Sequence, residues 1–385
     1  MNIDYLCPID DTVIAHLMVQ SEQTLGYQIS IHSTQNGVPD LEGIKIAILG
    51  VEEGRNSIDN EDTGQGISEI RKQLYKLFPG SWISKIADLG NIPQGNTVED
   101  TYFAVSDLLS SLLKKNIIPI IIGGGHDLTY ANYRAYDSLE QTVNLVSIDN
   151  KFDFGSIQDG VTSQSHLSSI VMEKPNNLFN FSNIGYQTFF NPQEEIDLIN
   201  DLFFDAYRLG EVVNNIEIVE PILRDADIVS IDIGAVRNSE APANNNATPN
   251  GFYGEDLCKI ARYAGISDKV TSFGIYEFNY KLDNKTQTSQ LIAQAIWYFI
   301  EGVNCRTNDY PFGTREQYQK FIVPLEDEVL NFYKSNKSGR WWMELNFDNN
   351  KYRRHSLIPC TYQDYLNANE KEIPDRWYKT LKKII

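Results

Sequence analysis

Asn116-Ile-Ile-Pro-Ile-Ile-Ile-Gly-Gly-Gly-His-Asp127 is the stretch whose reading decides the fold. A short isoleucine-rich run stopped by three glycines reads as a fully buried strand that ends abruptly. The glycines let the backbone turn tightly and leave His126 just past the strand's carboxyl end, where open α/β sheets place their ligands. Three further strand-like runs deliver an acid at the same kind of position. Val143 to Ile148 leads into Asp149 and Asp153, Ile228 to Ile231 into Asp232, and Val270 to Tyr276 into Glu277. Parallel strands carry their ends to one edge, so His126, Asp149, Asp153 and Asp232 are expected to converge. Carboxylates crowded in that way repel one another, and a divalent cation relieves the repulsion.

The chain has 385 residues, enough for one large α/β domain or two modest ones. A formal charge of −19 opposes binding to phosphate backbones or anionic lipid, so neither nucleic acid nor membrane is an expected partner. Cys7, Cys258, Cys305 and Cys360 are scattered without zinc spacing and read as reduced thiols. The first residues lack the pattern of a signal peptide, and no run reaches membrane-spanning length. A soluble, cytoplasmic protein is the expectation. No Gly-x-Gly-x-x-Gly, P-loop or nucleophile-elbow pattern sits in a strand-to-helix context, so no nucleotide cofactor is implied.

Along the chain, residues 1–42 read as an N-terminal embellishment with a short helix over Asp11 to Gln20, placed before the sheet begins. Residues 43–308 alternate strand and helix. Strands are predicted at Ile44 to Gly50, Ile86 to Gly90 and Asn183 to Tyr186, with another strand and turn within Arg208 to Val219. Helices are predicted over Ile67 to Leu77, from Asn96 to Lys115, and over Pro192 to Leu202, Glu255 to Ala264 and Gln287 to Glu301. This alternation argues for a mainly parallel sheet covered on both faces. Residues 309–385 form an aromatic-rich extension with short antiparallel strands at Phe321 to Pro324, Val329 to Tyr333 and Arg340 to Phe347. Its aromatic density is read as packing onto the main body.

Taken together, these residues resemble the arginase/ureohydrolase superfamily of arginases, agmatinases and formimidoylglutamases. Gly123-Gly-Gly-His-Asp-Leu is similar to the family's Gly-Gly-x-His motif, in the form nearest to formimidoylglutamases. Ser147-Ile-Asp-Asn-Lys-Phe-Asp153 resembles Asp-Ala-His-x-Asp, Ser230-Ile-Asp-Ile-Gly234 resembles Ser-x-Asp-x-Asp, and Glu277-Phe-Asn resembles Glu-Val-Asn. The resemblance implies a three-layer α/β/α sandwich on an eight-stranded parallel sheet, a homo-oligomer, and two manganese ions bridged by a hydroxide that attacks an amidine or guanidinium carbon.

The chain departs from that pattern at two positions. Lys151 stands where the family has its central His ligand, and Gly234 replaces the second Asp; in the family arrangement both lost groups bind the same ion. The other set, His126, Asp149, Asp153 and Asp232, is complete and suits one Mn2+ with positions open to water. The Lys151 ammonium is expected to occupy the charge of the missing ion and pair with Asp149 or Asp232. His166 lies at the offset from Asp149 at which arginases carry a proton-shuttling loop His, and a plain loop His is the other reading. Glu277 is assigned to the substrate cation. Arg237 reads as a carboxylate partner or a solvated loop residue, and Asp127 as a supporting group or a helix N-cap. The function implied is metal-dependent hydrolysis of a C–N bond in a small linear amidine or guanidine. The competing reading is an inactive scaffold for binding or assembly.

Overall fold

Alternate residues of the buried strands face opposite ways, and both faces of the sheet are covered. A computed structural model describes residues 3–384, apart from 140, 159, 312–314, 326–327 and 346–353. In chain order the strands are β1 (Ile29–Ile31), β2 (Ile44–Val51), β3 (Lys85–Ile92), β4 (Ile118–Ile122), β5 (Val143–Ile148), β6 (Leu178–Tyr186) and β7 (Asp205–Arg208). They continue as β8 (Ile228–Asp232), β9 (Ser272–Tyr276), β10 (Tyr318–Pro324), β11 (Val329–Ser335), β12 (Trp341–Glu344) and β13 (Leu357–Cys360). The first nine form one sheet in the order β1-β3-β2-β4-β9-β8-β5-β6-β7. Every neighbouring pair in it is parallel.

Along β2, Ile46 and Ile48 join the core under helices Ile67–Tyr75, Gly254–Ile266 and Gln287–Asn304. Ala47 and Leu49 join the opposite core, under Val98–Lys114, Leu128–Arg134 and His166–Met172. The result is the expected α/β/α sandwich. Thr97 and Asp100 close a capping box that starts the second group of helices. The order β4-β9-β8-β5 sets side by side the four strands that end at His126, Glu277, Asp232 and Asp149. Register pairs Ile122 with Ile275, Ile231 with Ile275, and Ile148 with Ile231, so the four ends stop level.

The sheet has nine strands where about eight were expected, because β1 lies within the segment expected to precede the sheet. At three residues it is too short to carry a periodic signal, and it is held by pairing with β3 at the edge. The strand expected from Arg208 onward lies earlier, at β7, and Leu209–Asn214 is helical.

In the C-terminal segment β10 to β13 form an antiparallel sheet. Two helices absent from the sequence reading, Tyr362–Asn369 and Asp375–Ile384, pack onto it around Phe332, Trp341, Met343 and Trp377. The predicted strand at Arg340 to Phe347 is β12, and its Asn346 and Phe347 lie outside the described residues. The buried Arg224 guanidinium donates to the carbonyls of Trp341 and Cys360 at 3.1 and 3.0 Å and stacks on Trp342, tying this sheet to the helix Val219–Asp225.

A candidate metal centre at the sheet edge

The Gly-rich turn after β4 explains how His126 reaches the cluster. Gly123 and Gly124 have φ of +91° and +77°, a region open to glycine. The turn passes so close to the chain after β2 that a Cβ on Gly124 would lie 2.5 Å from the Glu53 carbonyl oxygen. The His126 amide then donates to Glu277 Oε1 at 2.8 Å, and the Glu277 amide donates to the Gly124 carbonyl at 2.9 Å. Asp153 and Glu277 are themselves left-handed, with φ of +59° and +67°. Non-glycine residues adopt that conformation at a cost that surrounding structure must offset, and such residues concentrate at functional sites.

His126 Nδ1 lies 3.1 Å from Asp149 Oδ2 and 3.3 Å from Asp153 Oδ2, and all three side chains are buried. Its Nε2 lies 2.9 Å from Ser230 Oγ. With Nε2–H given to Ser230, Nδ1 presents a lone pair to two carboxylate oxygens. That arrangement repels unless a proton or a cation lies between. His126 Nδ1 and Asp149 Oδ2 are both buried without a hydrogen-bond partner. Two triads of donor atoms are close enough to hold an ion, His126 with Asp149 and Asp232, and His126 with Asp153 and His166. The residues present therefore fit a divalent cation.

Burial alone would depress the His126 imidazole, yet the Asp149 and Asp153 carboxylates beside it hold it well above its ordinary value. Burial and the Asp149 charge push Asp153 well up, whereas contact with His126 overcomes burial and keeps Asp149 low. Burial, then Asp149 and Glu277, raise Asp232 to about 8. An ion would replace the protons that this crowding otherwise recruits.

Two expectations are corrected. Lys151 makes no ion pair with Asp149 or Asp232; its amide donates to Asp149 Oδ1 at 2.9 Å, while its ammonium bears on Glu195, on the helix Gln193–Asp201. Lys151→Met is accordingly expected to leave divalent-ion affinity within about threefold, by calorimetric titration; a tenfold gain would contradict this placement. His166 is not a loop residue. It begins the helix His166–Met172, is 1% exposed, and packs its ring 4.6 Å from that of His126. Burial and the neighbouring His126 hold its imidazole down at about 3.

Around Gly234 the space is bordered by Asn244, whose amide lies 3.4 Å from Asp232 Oδ1. Glu277 is moored by Ser57 Oγ at 2.6 Å and Asn60 Nδ2 at 2.8 Å, from the loop after β2. Burial raises its carboxyl despite these donors. Asp127 makes no capping bond and instead accepts from the Tyr102 hydroxyl at 2.6 Å. Arg237 lies over the Tyr253 ring and donates to the Gly251 carbonyl. The roles of Ser57, Asn60 and Asn244 were not read from sequence; the composition of Asn244 to Gly251 predicts only a loop.

The model of the arginase family matches residues 44–301. The formimidoylglutamase of Staphylococcus haemolyticus (strain JCSC1435) is 23% identical over 274 residues, covering 68% of this chain and 87% of that protein. That of Staphylococcus aureus (strain MSSA476) is 24% identical over 247 residues, covering 62% and 78%. Among solved structures, Trypanosoma cruzi formiminoglutamase with Mn2+ matches with a TM-score of 0.63 at 19% identity, over 69% of this chain and 96% of that one. The formimidoylglutamase of Bacillus subtilis subsp. subtilis str. 168 matches with a TM-score of 0.64 at 19% identity, over 70% and 90%. Among the described residues no helix is long and apolar enough to cross a membrane.

Proposed function

Because the chain belongs to the arginase family, we propose that it is a metal-dependent hydrolase of a C–N bond in a linear amidine or guanidine, with formimidoylglutamate as its substrate. The observation that carries this reading is the buried pair of unspent donor atoms, His126 Nδ1 and Asp149 Oδ2, among further carboxylates at the ends of adjacent parallel strands. His126, Asp149, Asp153 and Asp232 would hold one ion, manganese in the first instance. When bound, such an ion supplies Lewis acidity and makes a water more acidic.

The chain's own residues supply the rest. Among the described residues, Oε1 of Glu277 accepts from the His126 amide alone, which leaves a lone pair for an amidine N–H. Ser57 and Asn60 occupy Oε2 and fix the orientation of that carboxylate. Burial around His126, Asp149 and His166 excludes bulk water from the cluster's inner side, and partly exposed Asp232 marks the side from which substrate enters. Solvent at that side protonates the departing nitrogen, since His166 is walled in.

With added manganese, formimidoylglutamate is expected to be turned over faster than agmatine, arginine or guanidinobutyrate. Water adds to the amidine carbon and the substrate's own amine departs, so release of formamide and glutamate from formimidoylglutamate, and of urea from the three guanidines, checks this. The missing second ligand set favours a second reading as a binding or assembly scaffold. Metal-loaded protein that turns over none of the four compounds would establish that second reading against the first.

A further inference from the structure

The four residues assigned to the ion leave one buried imidazole unaccounted for. His166 packs beside His126 with ring centroids 4.6 Å apart, and its Nδ1 lies 3.7 Å from Asp153 Oδ2. Donor atoms of His126, Asp153 and His166 lie within 4.8 Å of one another. The same Nδ1 lies 3.2 Å from the Ser163 carbonyl, which takes its proton in the neutral tautomer and leaves Nε2 with the lone pair. His126 has the matching arrangement, one nitrogen on Ser230 and the other unpartnered. An imidazole held by one nitrogen on a protein acceptor, with the other left for an ion, is the usual environment of a metal-ligating histidine. The two triads cannot each hold an ion at the same time, because the single lone pair of His126 Nδ1 serves one cation.

We propose that His166 is a ligand of the same ion, so that the centre offers two imidazoles with carboxylates. This rests on the reading above that the cluster holds a divalent cation. The retained set contributes one imidazole nitrogen, from His126, and His166 would add a second. Two imidazoles move the preference toward cobalt, iron or zinc, because nitrogen donors favour the later first-row ions over manganese more strongly than oxygen donors do.

Pulsed electron paramagnetic resonance of the intact wild-type chain loaded with Mn2+ counts the bound nitrogens without any substitution. Couplings to two imidazole nitrogens are expected, and one coupling alone overturns the proposal. In parallel, His166→Gln is expected to weaken Co2+ binding by at least the ~10–100-fold that accompanies loss of a supporting group, and to narrow the cobalt-over-manganese ratio. His16→Ala, on the N-terminal helix away from the cluster, is the control and should change neither. An unchanged Co2+ affinity in folded His166→Gln, even with slower turnover, also overturns the proposal while leaving the hydrolase reading intact. Failure of the wild type to bind any ion would overturn both.

Discussion

Arg354→Met is expected to lower the unfolding free energy by about 3 kcal/mol, toward the lower end of the range for breaking a buried pair. Arg354 reaches from the C-terminal segment to the amino end of the main sheet. One guanidinium nitrogen donates to the Thr142 carbonyl at 2.6 Å and to Asp227 Oδ2 at 3.1 Å, and the other pairs with Asp227 Oδ1. The Asp227 side chain is fully buried, whereas that of Arg354 is 23% exposed, which is why the lower figure applies. Removing the cation leaves a carboxylate between β5 and β8 with, among the described residues, the Asn144 amide at 2.8 Å as its one remaining donor. Asp227→Asn combined with Arg354→Met should recover much of the loss, because the amide pays a far smaller desolvation cost. Urea unfolding of the single and double variants measures the coupling. A midpoint unchanged by Arg354→Met would mean that the extension sits on the sheet without contributing to its stability.

This attachment bears on what the extension is for. Lys379 and Lys383 from the last helix reach Asp205 and Asn180 on β7 and β6. Arg376 donates to the Pro359 carbonyl at 2.6 Å and pairs with Asp225. The aromatic residues mostly fill the interior of the small sheet, as Trp341, Phe332 and Tyr365 do, so their density reflects that sheet's own core rather than packing onto the main body. All of these fastenings lie at the amino ends or the β7 edge of the main sheet, whereas the metal candidates lie at the carboxyl ends. Among the described residues, these fastenings link the extension to the strands that carry the site rather than to the site itself.

The parts of the site that were legible in sequence are those fixed by strand direction. Once β4, β5, β8 and β9 are parallel, His126, Asp149, Asp232 and Glu277 must share an edge, and short buried runs reveal such strands plainly. Side-chain direction was not legible in the same way. Lys151, at the family's central His position, was expected to pair with Asp149 or Asp232, but it makes no ion pair with either and its charge bears on Glu195. The spacing of His166 from Asp149 suggested a loop residue, and nothing local announced that it starts a helix against His126. The mooring of Glu277 joins residues 217 and 220 positions apart, so no local pattern could announce it. β1 escaped because three residues supply less than two periods of alternation.

Gly124→Ala tests how tightly the backbone turn and the cluster are joined, and is expected to cost about 2–5 kcal/mol together with most of the ion affinity. A left-handed φ of +77° in an L residue accounts for about 1–2 kcal/mol. Crowding adds about 1–3 kcal/mol, because the new methyl would fall 2.5 Å from the Glu53 carbonyl oxygen and 2.2 Å from Leu128 Cδ1. Leu128 can rotate away, but the Glu53 carbonyl is held by the Gly125 amide at 2.9 Å, so the backbone itself must shift. That shift pulls on the Gly124 carbonyl that receives the Glu277 amide, and hence on both His126 and Glu277. A misplacement of about 1 Å at reacting groups costs about 100-fold in rate. Gly339→Ala is the matched control, since its φ is +74° but a Cβ there meets nothing within 4 Å. It should show the backbone cost alone, with ion affinity and turnover unchanged. Equal behaviour of the two variants in ion titration would mean that the turn does not position His126, and the link from the glycine run to the metal centre would fail.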